Sequence, residues 1–305
     1  MPVAGDAADV SHRGWRRVLP ALLLVVGTSC NGGAPAPPPV SMGAFNFPES
    51  LILAEVYAQA LREGGVPTTA ISQLTGREGT FPALESGVID FLPEYNGNAL
   101  DFITDAEITA TDPETITERL RAELEDLGLV VLDSSPAENR DELVVTAETA
   151  EEHGLETVSD LEPIAEQLTV GGPVEFAERN TGLRGLQEVY GIEFGEFVQT
   201  DAGGPETVSA LQEGRIDVAR LFSTDPLIEE NDWVVLTEDQ PFSLPNSITP
   251  IVRADVLTDE MAAIINAVSA ALTTEDLVEF NRRHTLRNDS ASQIARDFLE
   301  ANGLV

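Results

Sequence analysis

Hydrophobic and polar positions along this chain alternate between the period of a strand and the period of a helix. Short apolar runs, typical of strands, are followed by longer segments whose apolar residues lie three and four positions apart. This order recurs from about residue 41 to residue 255, and the remainder of the chain has an almost entirely helical pattern. The alternation favours an α/β protein, and from it we expect mostly parallel sheets.

The pattern predicts the position of each element. The predicted strands are 41–45, 69–74, 88–92, 129–132, 142–146, 168–171, 216–221 and 233–236. The predicted helices are 49–62, 81–86, 113–127, 158–167, 183–190 and 206–213.

The N-terminus has a different character from the rest of the chain. Arg13, Arg16 and Arg17 precede an apolar stretch at 18–26, and small residues then lead to Cys30. A basic segment followed by an apolar stretch too short to span a bilayer is typical of an export signal. The small residues before a cysteine indicate a lipoprotein cleavage site, with lipid attachment at Cys30. An ordinary signal peptide cut nearby is the alternative, and the arginine pair also permits twin-arginine export.

These features divide the chain. Residues 1–30 are predicted to be the signal peptide, and the proline-rich residues 31–40 a stiff tether. The folded body begins near residue 41 and has room for two lobes of ordinary domain size.

Composition narrows the function classes. The chain has 53 acidic residues, 17 basic residues that are all arginine, and a formal net charge of −36, so nucleic acid and anionic lipid are not expected partners. Cys30 is its single cysteine, which leaves the body without a disulfide or a thiol nucleophile. His153 and His284 lack metal-ligand spacing and are predicted to be solvated. We therefore predict no metal, no cofactor and no catalytic residues.

A weak internal repeat links two parts of the body. Residues 83–91 (ALESGVIDF) resemble residues 210–218 (ALQEGRIDV), 127 positions later. Each copy predicts a helix that ends at a glycine and passes directly into a strand. Because ligands bind beyond the carboxyl ends of strands in open α/β sheets, the turns at 93–97 and 222–226 would face each other across a cleft. The alternative is a common helix-to-strand joint without functional meaning.

Six stretches carry a resemblance to a known family. They are NFPESLIL at 46–53, PEYNG at 93–97, GGPVEF at 171–176, GLQEVYG at 185–191, FSTD at 222–225 and PIVR at 250–253. In their order and spacing, residues 41 to the C-terminus resemble the glycine betaine/choline/carnitine-binding proteins of osmoprotectant ABC importers. The resemblance implies an α/β, two-lobed periplasmic-binding-protein fold (Venus-flytrap, type II) with two hinge crossings.

The family also implies how the chain is divided between its lobes. Lobe 1 would comprise 41–139 plus 246–305, and lobe 2 would comprise 140–245. The crossings are expected near 142–145 and 244–246.

The resemblance further implies a ligand site. In this family, aromatic side chains hold a quaternary ammonium group by cation–π attraction. Tyr95 occupies the tyrosine of the P-E-Y motif, and Phe222 lies where an aromatic residue precedes S/T-T-D. The other predicted contacts are Asn96, Glu138, Asn139, Ser223, Thr224, Asp225 and Asn246.

Two of these positions depart from the family. Glu138 and Asn246 stand where family members often have tyrosine. If they line the pocket, a ligand with hydrogen-bonding N–H groups would be preferred and betaine would bind weakly. Alternatively, Glu138 faces solvent at the hinge and other residues complete the cage.

Three further residues each have two possible roles. Arg77 and Arg179 either hold a ligand carboxylate or, as we favour, pair with neighbouring acids. Trp233 either joins the cage or, as we favour, packs on an edge strand.

The predicted function is that of a binding protein and not an enzyme. The chain would be the extracytoplasmic substrate-binding subunit of an ABC importer, with a quaternary ammonium osmolyte and a membrane permease as partners. It would lie on the outer face of the cytoplasmic membrane as a lipoprotein, or else be soluble outside the cytoplasm. The alternatives are a binding protein for another small cationic or zwitterionic solute, such as an amino-acid derivative, and, more remotely, an exported enzyme or a sensor domain.

Overall fold

The computed structural model describes residues 38–104 and 112–304. The predicted signal peptide, most of the predicted tether and Cys30 lie outside the described residues. The strands are β1 (Gly43–Phe45), β2 (Ser72–Leu74), β3 (Phe91–Tyr95), β4 (Leu129–Val131), β5 (Asp141–Val145), β6 (Thr169–Gly172), β7 (Glu196–Gln199), β8 (Val218–Phe222), β9 (Val234–Val235) and β10 (Ile248–Arg253). The α-helices are α1 (Pro48–Glu63), α2 (Gly76–Glu85), α3 (Asn96–Ile103), α4 (Pro113–Glu125), α5 (Ala147–His153), α6 (Leu183–Tyr190), α7 (Pro205–Gln212), α8 (Pro226–Glu230), α9 (Asp259–Ala271), α10 (Thr274–Arg287) and α11 (Ala291–Ala301).

Two sheets with the same strand order form the centres of two lobes. In the first, β1 pairs with β2, β10 lies between β3 and β4, and a parallel bridge between Met42 and Phe91 connects the two parts. The order is therefore β2-β1-β3-β10-β4. The second sheet has the order β7-β6-β8-β5-β9. Strand β5 occupies in the second sheet the place that β10 occupies in the first.

The expectation of mostly parallel sheets is wrong. Strand β10 runs antiparallel to β3 and β4, and β5 runs antiparallel to β8 and β9. Both strands enter their sheet from the other lobe, at the edge where a neighbouring strand ends: Asp141 is opposite Phe222, and Ile248 is opposite Tyr95. A strand that enters at this edge must run against its neighbour.

Separate hydrophobic cores confirm the two-lobed fold. One core joins buried residues of 40–137 with buried residues of 244–299. Two smaller cores lie within 143–236, and they contain alternate residues of β5 and β8. Because successive strand residues point to opposite faces, these two cores cover the two faces of the second sheet.

The two connections between the lobes pair with each other. Asn139 donates its backbone N–H to the carbonyl of Asn246 at 3.1 Å, and Ile248 donates to Ala137 at 3.1 Å. The first connection precedes β5, slightly earlier than the predicted 142–145. The exact lobe boundaries at 139/140 and 245/246 remain a prediction.

The internal repeat builds the same joint in each lobe. Asp90 and Asp217 each accept a backbone N–H with Oδ2, from Ser41 and Thr169 respectively, both at 2.8 Å. The glycines that end the two helices, Gly87 and Gly214, have positive φ angles of 73° and 66°.

The isoleucines of the repeat also have matching positions. Ile89 lies against Gly43 of β1, and Ile216 lies against Gly171 of β6. In both cases a Cβ added to the glycine would come within 2.5 Å of the isoleucine Cδ1. The repeat therefore fixes how the strand after each helix packs beside its parallel neighbour, β3 beside β1 and β8 beside β6.

Several element ends differ from the sequence-based predictions. Helix α2 begins at Gly76, five residues before the predicted start, and β3 begins at Phe91 because 88–90 form the joint just described. The predicted helix at 158–167 is instead two 3₁₀ segments, Val158–Leu161 and Ala165–Gln167. Pro163 lies between them and lacks the N–H that a continuous helix needs.

Among the described helices, none taken singly has the length and apolar character needed to cross a membrane; α9 and α10 meet these criteria only as a pair bent by 86°.

Candidate ligand-binding cleft

A cleft lies between the lobes, at the edge where β1, β3, β6 and β8 end. It contains about 680 Å³ of unoccupied space, including its open mouth. The lining residues are Phe45, Asn46, Phe47, Gly76, Arg77, Tyr95 and Asn98 on the first lobe, Asn139 and Asp141 at the hinge, and Pro173, Glu175, Phe176, Arg179, Thr181, Ala202, Arg220 and Phe222 on the second lobe.

Four aromatic rings from both lobes meet in this cleft. The centroid of Phe47 is 5.8 Å from that of Phe45, 6.0 Å from that of Tyr95 and 5.0 Å from that of Phe222. Phe47 is therefore central to the cluster, and its contact with Phe222 crosses the gap between the lobes. Such a set of ring faces can attract a cation that has no hydrogen-bond donors.

Two arginines already lie over these rings. The guanidinium carbon of Arg77 is 5.2 Å from the centroid of Phe45, and that of Arg220 is 4.2 Å from the centroid of Phe222. Arg77 pairs with buried Glu94 at 2.8 Å, and Arg220 pairs with Asp141. Burial lowers the pKa of Arg220 from its usual value, and Asp141 opposes this effect.

A third arginine, Arg179, lies at the rim and pairs with Glu78 at 3.3 Å. Arg77 and Arg179 thus both pair with acids, as the sequence predicted, and both line the cleft.

A buried carboxylate next to the cleft connects the two lobes. Glu49, in the first turn of α1, is 3% exposed. Its Oε1 accepts hydrogen bonds from Tyr95 Oη at 2.8 Å and Asn139 Nδ2 at 2.7 Å. Its Oε2 accepts from Thr224 Oγ1 at 2.6 Å and Asn281 Nδ2 at 2.7 Å. Thr224 belongs to the second lobe, so this carboxylate joins the lobes through side chains.

Two pKa shifts follow from this arrangement. Burial, and then the nearby Glu49 carboxylate, raise the pKa of Tyr95 well above its usual value, so its phenol stays a donor. Burial raises the pKa of Asp225 to about 6; Glu49 adds to the shift, and the Leu227 N–H opposes it. Asp225 caps α8 and lies in a second interlobe cavity on the far side of Phe47 and Phe222.

The predicted contact residues fall into two groups. Tyr95, Asn139 and Phe222 line the cleft, and Thr224 lies behind it, hydrogen-bonded to Glu49. These residues and Asp225 lie at or next to the cleft in this structure, and their contact with a ligand stays a prediction.

The other predicted contacts lie elsewhere in this structure. Asn96 is fully buried and accepts the backbone N–H groups of Gly97 and Ser247, both at 2.8 Å. Asn246 accepts the N–H of Asn98 at 2.8 Å.

Ser223 and Glu138 are involved in contacts at the hinge. Ser223 accepts the N–H of Arg140 at 3.0 Å, and Glu138 donates its own N–H to Thr274 at 3.0 Å. Glu138, like Asn246, is not among the residues that line the cleft in this structure, and the contact of both residues with a ligand stays a prediction.

Trp233 and the two histidines of the folded body are not among the described residues that line the cleft. Trp233 packs against a core of the second lobe beside the edge strand β9, as expected. His153 is exposed, whereas His284 is partly buried beside the second cavity, with Nδ1 3.1 Å from the carbonyl of Asp289. No cluster of His, Cys, Asp and Glu suited to a metal ion occurs within 38–104 and 112–304.

Sequence reasoning missed four residues at this site. Phe45 is the last residue of β1, where the sequence pattern predicts only a strand, and Phe47 lies in the stretch at 46–53 that carries only the family resemblance. The sequence pattern predicts Glu49 only as part of an amphipathic helix and Arg220 only as part of an apolar strand. Because residues after a strand's carboxyl end form the usual binding edge, the F-N-F spacing could have indicated the two phenylalanines.

Comparison with known proteins is consistent with this geometry. Residues 38–301 match the family model described as the substrate binding domain of ABC-type glycine betaine transport system. The glycine betaine-binding protein YehZ of Escherichia coli is 27% identical over 281 residues, covering 87% of this chain and 91% of that protein. The ergothioneine transport permease/ergothioneine binding protein EgtU of Helicobacter pylori is 26% identical, covering 84% of this chain and 46% of that protein.

Among solved structures, a glycine betaine/carnitine/choline ABC transporter structure superimposes with a TM-score of 0.68 at 25% identity, covering 87% of this chain and 99% of that one. The family match covers most of the chain, and the structural match covers the same two lobes. The chain belongs to the family of substrate-binding domains of ABC-type glycine betaine transport systems.

Proposed function

We propose that this chain is the extracytoplasmic substrate-binding subunit of an ABC importer and that it takes a quaternary ammonium osmolyte of the glycine betaine type. The observation that carries the proposal is the cluster of Phe45, Phe47, Tyr95 and Phe222 between the lobes. A trimethylammonium group has no N–H to donate, so aromatic faces are what can attract it. Movement of the lobes around the ligand would change the surface that a permease contacts.

Calorimetric titration of the purified chain with glycine betaine, carnitine and choline tests the ligand class. Phe47 contacts the other three rings, so Phe47→Ala should weaken binding by about 10-fold to 100-fold, the effect of losing roughly 1–3 kcal/mol of aromatic contact. Trp233→Phe, at the edge strand and outside the cleft, is the matched aromatic control and should bind as wild type. Equal binding by wild type and Phe47→Ala would show that the rings do not form the site.

A second ligand class is supported by the polar lining. Arg77, Arg179 and Arg220 face the cleft together with Asp141 and Glu175, and these groups can exchange hydrogen bonds that a trimethylammonium group cannot use. A small zwitterion such as an amino-acid derivative is therefore the second candidate. It would stabilise the protein against heat when betaine does not, because a ligand that binds the native state raises the unfolding temperature.

We propose that the bound solute is transported unchanged. Mass analysis after incubation with excess ligand should recover it intact. Conversion of more than one equivalent per protein would contradict a binding role.

The remaining proposal concerns location. We propose that the chain is exported, anchored by a lipid on Cys30 and partnered with a membrane permease. The Helicobacter pylori relative EgtU is named as both a transport permease and a binding protein. Expression of Cys30→Ala should release the chain from the membrane fraction. Full retention of this variant on the membrane would contradict lipid attachment.

A further inference from the structure

A threonine of the second lobe is held by two side chains of the first lobe. Thr224 donates its hydroxyl hydrogen to Glu49 Oε2 at 2.6 Å. Asn281 of α10 donates to the same Oε2 at 2.7 Å, and its Nδ2 also lies 3.1 Å from Thr224 Oγ1 and 3.2 Å from the Thr224 carbonyl oxygen. Glu49 and Asn281 thus enclose the end of this side chain, and we call the arrangement the Thr224 socket.

The Thr224 socket is shielded from water and contains a strong hydrogen bond. Thr224 is 1% exposed, Glu49 is 3% exposed and Asn281 is 8% exposed. A short hydrogen bond from a hydroxyl group to an ionised carboxylate is stronger than one between neutral groups. Such a bond keeps a net stabilising contribution even after the exchange with water is counted. Separation of the lobes would therefore lose the stabilisation that this bond provides.

The first lobe retains a preformed socket when Thr224 leaves. Tyr95, Asn139 and Asn281 account for three of the four donors to Glu49, and these residues belong to the first lobe and the hinge. The carboxylate therefore stays in place as the second lobe moves. A returning Thr224 meets an acceptor that is already oriented, so little ordering is needed to remake the bond.

The bonds of the socket are all between protein atoms. Thr224, Glu49 and Asn281 are not among the described residues that line the cleft. Their contribution to closure is therefore the same for any solute. A contact that is formed in only one of two lobe arrangements shifts the two populations by its own free energy.

From these observations we infer that the Thr224 socket is a ligand-independent lock of the closed lobes, in which Thr224 is the positioning residue. The lock keeps a part of the protein closed without any ligand. Its loss lowers the fraction of closed protein and so weakens the apparent affinity for every solute by a common factor. The effect on affinity rests on the proposed function, whereas the effect on the lobes does not.

The distance between two spin labels measures the open and closed populations without any ligand. Cys30 is the single cysteine, so Cys30→Ser in the full chain gives a background for labelling. The labels are placed through Gln73→Cys and Gln187→Cys, at exposed positions of the two lobes. These positions lie close in sequence to Thr75 and Arg184, which line the opening between the lobes. The ligand-free chain should show both a short and a long distance.

Three variants in this background test the lock. Thr224→Val keeps the shape of the side chain without its hydroxyl, and it should lower the closed-to-open ratio by about 10-fold. Thr224→Ser keeps the hydroxyl and should stay within about 2-fold of the unsubstituted chain. Tyr57→Phe is the matched control for lost stability, because it removes a buried hydrogen bond to Ser269, 3.0 Å long, within the first lobe. Its closed-to-open ratio should not change.

The inference would be overturned by a ligand-free chain that is wholly open. It would equally be overturned if Thr224→Val, shown by its urea midpoint to be folded, kept the ratio of the unsubstituted chain. A loss of the same size in Thr224→Ser or Tyr57→Phe would show that the hydroxyl does not act as a lock, and would also overturn it.

Titration with glycine betaine and carnitine gives a second readout. Thr224→Val should weaken the binding of both compounds by one factor, between about 2-fold and 10-fold. Weakening that differs between the two compounds by more than about 3-fold would place Thr224 on the ligand and contradict a ligand-independent lock. If neither compound binds the wild-type chain, the proposed ligand class fails, and the label distances still decide the inference.

Discussion

Replacing Glu49 with glutamine should weaken the fold and the contact between the lobes. The carboxylate accepts two hydrogen bonds on each oxygen, from Tyr95 and Asn139 on one and from Thr224 and Asn281 on the other. A glutamine amide would present N–H groups to one of these pairs. The tyrosine and threonine hydroxyls can rotate and accept, but an asparagine Nδ2 cannot, so at least one donor would face another donor.

The size of the effect follows from the number of bonds lost. A hydrogen bond to a charged group contributes about 1.5–3 kcal/mol, and the substitution disrupts two of them. Relief from burying a carboxylate offsets part of this loss. We expect Glu49→Gln to lower the free energy of unfolding by about 2–4 kcal/mol and the unfolding temperature by roughly 5–12 °C.

Urea and thermal unfolding, each followed by circular dichroism, measure this change. Glu55→Gln is the matched control, because Glu55 lies on the same helix and forms a partly exposed pair with Arg62 at 3.0 Å. Such a pair contributes about 0–1 kcal/mol, so the control should unfold close to wild type. Equal urea midpoints for Glu49→Gln and Glu55→Gln would refute the reasoning.

Three further outcomes are expected. Burial raises the pKa of Glu142 to about 7, so the stability that the protonated side chain contributes is lost as pH rises from about 4.5 through 7. Glu142→Gln should therefore be as stable as wild type near pH 4 and more stable than wild type by about 1–2 kcal/mol near pH 8.5. An equal stability difference at both pH values would contradict this expectation. Gly97→Ala should lower the free energy of unfolding by several kcal/mol, because the added Cβ would lie 2.2 Å from the Pro245 carbonyl oxygen. In the control Gly79→Ala, the nearest atom to the added Cβ is 3.9 Å away. Equal unfolding temperatures for the two variants would exclude the predicted clash. Because the net charge is −36, the urea midpoint should rise between about 0.01 and 0.5 M NaCl as repulsion is screened, and a flat response would show that self-repulsion does not limit stability.

The sequence predicts the positions of most helices and strands well, because local apolar patterns and end residues determine where they begin and end. Helix α1 was predicted within one residue at each end, since Pro48 starts it and Gly64 follows it. Strand direction was predicted less well. Nothing in the apolar pattern of β5 or β10 distinguishes a strand that enters from the other lobe, so their antiparallel pairing was missed.

The candidate site shows the same limit. Tyr95 and Phe222 were found through motifs, and both line the cleft. Glu49 was missed because its partners are distant in sequence: Thr224 is 175 positions away and Asn281 is 232. A carboxylate in the first turn of a helix also has an ordinary explanation in the helix dipole, and the sequence offers no reason to look further.

The internal repeat contains more information about the cleft than its short length indicates. An offset of 127 positions carries Asp90 to Asp217, which hold equivalent backbone N–H groups. Continued along the following strands, the same offset carries Tyr95 to Phe222. Each of these aromatic residues is the last residue of its strand, β3 or β8, and each lines the cleft. The shared joint sets the start of both strands, and with five residues in each strand it also sets where they end. A change that shifts either joint by one residue would therefore turn its aromatic ring away from the cleft, because successive strand residues point to opposite faces.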